Sequence, residues 1–67
     1  MTYKEYVDLV HKTFHSLNWR YGQSVMNVLH TVWREKHDEL AETENDCYYD
    51  DSKVYQVLNQ LEKEWKN

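Results

Sequence analysis

The sequence predicts an all-α protein, a small compact bundle of three main helices. Apolar residues recur at three- and four-residue intervals in three separate stretches, the signature of one buried helix face. The chain has no proline and a single glycine, Gly22, so the turn chemistry of β-hairpins is scarce. Its 67 residues suit one helical domain, 1–67, since a domain takes most of such a length.

The first helix runs from about Thr2 to Leu17 and ends near Asn18. Tyr3, Tyr6, Val7, Val10, Phe14 and Leu17 share its apolar stripe. Thr2 and Glu5 have the spacing of a capping box, and Met1 and Tyr6 that of a hydrophobic staple, both marks of a helix start. The second helix is expected from about Arg20 to Arg34, with Tyr21, Val25, Val28, Leu29 and Val32 inward and Met26 and Trp33 widening that face. Two continuations stay open beyond Arg34: a short extra helical turn from Lys36 to Ala41, or one longer helix. Residues 42–51 read ETENDCYYDD. Asp, Asn and Thr compete with helix by bonding nearby backbone, so this is a loop. Asp50, Asp51 or Ser52 can cap a third helix from about Ser52 to Lys66, whose stripe is Val54, Val57, Leu58, Leu61 and Trp65. Val7, Val10, Phe14, Val25, Leu29, Val32, Leu58 and Leu61 are the expected core.

Composition narrows the function. Cys47 is the only cysteine, which rules out an internal disulfide and suits a reducing, cytoplasmic setting. No leader-like basic and apolar segment opens the sequence, and no apolar run has the length of a membrane span. The net charge of −4 argues against direct binding to nucleic acid, which needs a basic surface. Three Trp and six Tyr are many for this length; aromatics serve cores and interfaces alike.

The segments RYGQSVMNVL, Arg20 to Leu29, and DCYYDDSKV, Asp46 to Val54, resemble a family of short proteins encoded by bacteriophages and prophages. The family pattern is R-x-G-Q-x-x-x-N-x-L, then an acidic loop D-x-F-Y-D-D, then a last helix ending in Trp. Arg20, Gly22, Gln23, Asn27 and Leu29 match its first part, and Asp46, Tyr49, Asp50 and Asp51 its second. Tyr48 stands where Phe is usual, and Arg34 where Pro is common. The resemblance implies a phage accessory protein acting in the cytoplasm of an infected bacterium. It brings no chemistry with it.

Three constellations could carry chemistry. His11 and His15 lie one helical turn apart, a spacing zinc can use, yet no HExxH or CxxC completes a ligand set. Cys47 sits among carboxylates, which disfavour the thiolate, so an inert or partly buried loop thiol is expected. Seven carboxylates lie between Asp38 and Asp51. They lack the glycine and spacing of a calcium loop, and a solvated, helix-capping role is expected of them. No catalytic residue, metal or cofactor is therefore assigned.

More informative is the polar arc Arg20, Gln23, Asn27, His30 and Arg34 on the second helix. Gln and Asn one turn apart favour specific hydrogen bonds over plain solvation. Two readings stay open: Arg20 pairs internally with Asp50 or Asp51, or the arc meets a partner. Tyr48, Tyr49, Tyr55 and Trp19 are the aromatics left outside the stripes. The expected function is a non-enzymatic interaction module that binds a host protein or a copy of itself through Arg20, Gln23, Asn27, Tyr48, Tyr49, Asp50 and Asp51. The alternatives are an acidic mimic that occupies a nucleic-acid-binding site, and a small metal-assisted hydrolase.

Overall fold

The computed structural model describes residues 1–65. It is all-α, with four helices where three were expected: α1 is Tyr3–Leu17, α2 Tyr21–Val32, α3 Arg34–Leu40 and α4 Val54–Glu64. The short extra turn is thus a helix of its own, and no strand occurs among the described residues. A 3₁₀ turn, Asp51–Lys53, leads directly into α4. The expected third helix therefore starts two residues late, at Val54, and gives way at Trp65; its expected end, Lys66, lies outside the described residues.

Local chemistry sets these boundaries. Thr2 Oγ1 accepts from the Glu5 N–H at 3.0 Å and Glu5 Oε1 from the Thr2 N–H at 2.7 Å, the reciprocal capping box. These bonds hold the Glu5 carboxyl below its usual pKa. Asn18 ends α1 in the left-handed region, φ 57°, which asparagine tolerates. Trp33, at φ −151° and ψ 73°, breaks the path between α2 and α3. Asp50 caps the 3₁₀ turn, its Oδ1 accepting from the Ser52 N–H at 3.0 Å.

Helix α2 is the centre of the molecule, touching α1, α3, the 3₁₀ turn and α4. Enclosure on several sides buries Ser24, Val25, Met26, Val28 and Leu29. The core adds Tyr6 and Val10 from α1, Leu40 from α3, Cys47 from the loop, and Val57 and Leu61 from α4. Four expected core residues, Val7, Phe14, Val32 and Leu58, are only partly buried. Phe14 sits at the end of the bundle, where it meets the edges of Tyr21 and His15. Met26 is completely covered because neighbours on both flanks of α2 widen its buried arc.

Polar groups in the core are satisfied. The Tyr6 hydroxyl donates to the Val25 carbonyl at 2.8 Å, and burial raises its pKa. Tyr6 also stacks on Trp65 with centroids 4.8 Å apart. Trp65 touches Tyr3 and Trp33 edge-on and donates from Nε1 to the Met1 carbonyl at 2.8 Å. Lys36 is almost fully covered, yet its ammonium reaches Glu64 and Glu39 and lies over the Trp33 ring. The bond to Glu64 raises the Lys36 pKa and lowers that of Glu64.

Leu29 is completely buried in the central helix. Leu29→Ala should cost about 2–5 kcal/mol in chemical denaturation, the range for a large-to-small change in a close-packed core. An unchanged midpoint would show that the packing around α2 is looser than described.

Candidate interaction face: the acidic loop docked on α2

The loop after α3 is built on its own side chains. Thr43 Oγ1 donates to the Leu40 carbonyl at 2.6 Å and accepts from the Asn45 N–H at 3.1 Å. Asp46 takes the Glu42 N–H on one oxygen at 2.7 Å and the Tyr48 N–H on the other at 2.9 Å. That clamp accompanies a left-handed backbone at Glu42, φ 63°. Asn45 Oδ1 accepts from Gln56 Nε2 at 2.8 Å and ties the loop to α4.

Three residues at the start of α2 hold the loop down. Arg20 donates from Nη2 to the Tyr48 carbonyl at 2.8 Å. The Gly22 N–H donates to Asp51 Oδ1 at 2.9 Å. Gln23 Nε2 donates to the Tyr48 hydroxyl at 3.2 Å. The Cys47 thiol points inward and lies 3.6 Å from the Gly22 carbonyl. At Gly22 the absence of a side chain is essential, since a Cβ there would collide with the Cys47 carbonyl oxygen and stand 2.8 Å from Asp51 Oδ1. The Asp51 carboxylate thus acts as a cap for α2 supplied from a distant part of the chain, where a helix N-terminus favours negative charge.

The expected pairing of Arg20 with Asp50 or Asp51 is corrected by this geometry. Arg20 does tie the loop to α2, but through a backbone carbonyl. Asp51 makes its bond to a backbone amide, and Asp50 turns to Ser52. Backbone groups compete well for these side chains because they would otherwise stand unpaired at a helix or turn end.

The predicted site residues therefore divide. Arg20, Gln23, Tyr48, Tyr49, Asp50 and Asp51 gather around the docked loop. Asn27 does not join them: it lines an apolar groove of about 350 Å³ between α1 and α2, with Leu9, Thr13 and Leu17 on one wall, Val28 and Thr31 on the other, and Trp19. His30 packs edge-on against His37, and Arg34 pairs with Asp38 at 3.7 Å. Tyr48 is half-buried, whereas Tyr49 is 83% exposed, edge-on to Tyr48 and 6.0 Å from the Arg20 guanidinium. Tyr55 is also exposed, on α4.

The other constellations have structural partners. His11 Nε2 is bonded to the Tyr21 hydroxyl at 3.2 Å, and His15 lies against Phe14. Burial pushes the Cys47 thiol up to about 12, with Asp46 adding to the effect. Among the described residues, no group of three or more His, Cys, Asp or Glu comes together to hold a metal ion. Cys47, expected as an inert or partly buried loop thiol, is completely buried and joins the core, the small apolar side chain of a polar run. The chain matches no protein-family model, no curated protein and no solved structure.

Two predictions follow from the docking geometry. Gly22→Ala should release the loop, seen as a lower melting temperature together with fast reaction of Cys47 with a thiol reagent under native conditions. Slow labelling and an unchanged melt would contradict the close approach. Asp51→Asn keeps an acceptor oxygen and should retain most of the stability, whereas Asp51→Ala should lose about 0.5–2 kcal/mol, as for other helix caps. Equal losses in the two variants would mean that charge, not acceptance of the Gly22 N–H, is what matters.

Proposed function

We propose that the protein is a non-enzymatic interaction module that uses the docked loop to bind another protein. The observation that carries this reading is Tyr49, a large aromatic held 83% exposed on a loop whose neighbours are anchored on both sides. A rigid, exposed aromatic loses little entropy on binding and brings a large apolar area to a partner. Arg20 and Tyr48 sit beside it, and Tyr and Arg are the residue types that dominate binding energy at interfaces. With the phage-family resemblance, the reading becomes an accessory protein that binds a host factor, or a copy of itself, in the bacterial cytoplasm.

The carboxylates add weight to this over the mimic. Asp46, Asp50 and Asp51 each give oxygens to the chain's own N–H groups, so they are less available as a phosphate-like array. Hydrolysis finds little support in His11 and Cys47, which are engaged by Tyr21 and by burial.

The test is affinity capture from bacterial lysate with the parent chain and Tyr49→Ala. The exposed site makes the substitution harmless to stability, within about 0.5 kcal/mol. The parent should retain a specific protein and Tyr49→Ala should lose it. Equal capture by both would remove Tyr49, and with it the loop face, from the proposal.

A further inference from the structure

The break at Trp33 does more than end α2. In one unbroken helix His30 and His37, seven residues apart, would stand about 10 Å apart along the axis, at about 1.5 Å per residue. The turn at Trp33, φ −151° and ψ 73°, sets α3 against α2. It brings the two imidazoles to 4.8 Å between centroids, with their planes 88° apart. His37 is held in place: its side chain is 20% exposed and its Nδ1 lies 3.0 Å from Asp38 Oδ1. The other oxygen of Asp38 faces the Arg34 guanidinium at 3.7 Å. The bond from His37 holds the Asp38 carboxyl below its usual pKa, and Arg34 adds to the effect. An ionised carboxylate can only accept, so His37 carries a hydrogen on Nδ1 and, as a neutral ring, keeps its lone pair on Nε2. His30 is exposed on α2.

We infer that His30 and His37 form a site for a divalent transition-metal ion of the kind that favours imidazole, such as Zn²⁺, with water at its remaining positions. Metal–nitrogen bonds of about 2.1 Å set two imidazoles bound side by side on one ion roughly 5 Å apart between centroids. The two helices already hold the rings at that spacing. The bond to Asp38 is a second, independent sign. A ligating histidine usually donates its other N–H to a carboxylate, which fixes the ring and raises its basicity. That carboxylate is in place on His37 and is itself steadied by Arg34. His11 and His15 have the more familiar spacing, but Tyr21 engages His11 Nε2 and Phe14 lies against His15. Two imidazoles are fewer than the ligands of a closed structural site, in keeping with the lack of any larger group among the described residues. The ion therefore keeps open positions. The inference does not rest on the loop reading, because no loop residue contributes to the site.

The experiment is a zinc titration of the full chain, followed through the histidine ring signals in nuclear magnetic resonance, with thermal melts alongside. In the parent the His30 and His37 signals should shift together and saturate at one ion per chain, ahead of those of His11 and His15. The ion joins α2 to α3 in the folded arrangement, so zinc should also raise Tm, and by more as its concentration grows. His30→Ala changes an exposed position and should melt like the parent without metal, yet lose the His37 shift and the zinc-dependent rise in Tm. Asp38→Asn keeps an acceptor oxygen but loses the charge, and should weaken binding about tenfold or more. His15→Ala should bind zinc as the parent does. No saturable shift up to about millimolar zinc, a shift confined to His11 and His15, or a parent-like titration of His30→Ala would each overturn the proposal. Tyr49→Ala should leave zinc binding intact, so this site and the loop face fail or stand separately.

Discussion

The arrangement depends on one close approach, the Cys47 carbonyl against the Cα of Gly22. Only a residue without Cβ lets the loop come so near to α2. From that distance the Asp51 carboxylate reaches the Gly22 N–H, and the Cys47 side chain enters the core. The 3₁₀ turn that follows then launches α4 at a fixed height along α2. One contact thus fixes the loop, caps the central helix and sets where the last helix begins.

The central position of α2 explains how its polar residues are used. A helix covered on one side keeps a solvated back, and long charged side chains suit it. Here the back of α2 is also approached, at its N-terminal end by the loop and at its C-terminal end by α3. Gln23 and Arg20 bond the loop, and Ser24 turns its buried hydroxyl to the Arg20 carbonyl. Further along, His30 meets His37 of α3. Buried Lys36 follows the same logic: its charge is held by two carboxylates and its stem is covered.

Much of the architecture was legible because it rests on short-range rules. The Thr2 and Glu5 box, the stop at Asn18, the capping by Asp50 and the interruption near Arg34 all arise from neighbours within a few residues. Val10, Val25, Leu29 and Leu61 were legible as core from periodicity alone. What failed depended on distant packing. Val7 and Phe14 share the stripe of Tyr6 and Val10, yet less of the bundle covers them. Arg20 and Asp51 were rightly seen as reaching across between loop and helix, but charge suggested each other as partners where backbone groups took both. Asn27 looked like part of the same face as Gln23, one turn away; four residues along α2 were enough to carry it into the groove beside α1. The lone glycine inside a helical pattern was the overlooked clue, since such a glycine often marks close packing.

The aromatic contact at the far end of the chain has a consequence for biosynthesis. Tyr6 lies under Trp65, which is also bonded to Met1. A ribosome releases α1 first, but the ring that covers Tyr6 emerges only after α4. Until then the nascent α1 has an unfinished apolar face, and contacts so distant in sequence cannot form early. The core is therefore complete only once α4 and Trp65 have emerged, and until then the open face of α1 is free to meet other surfaces.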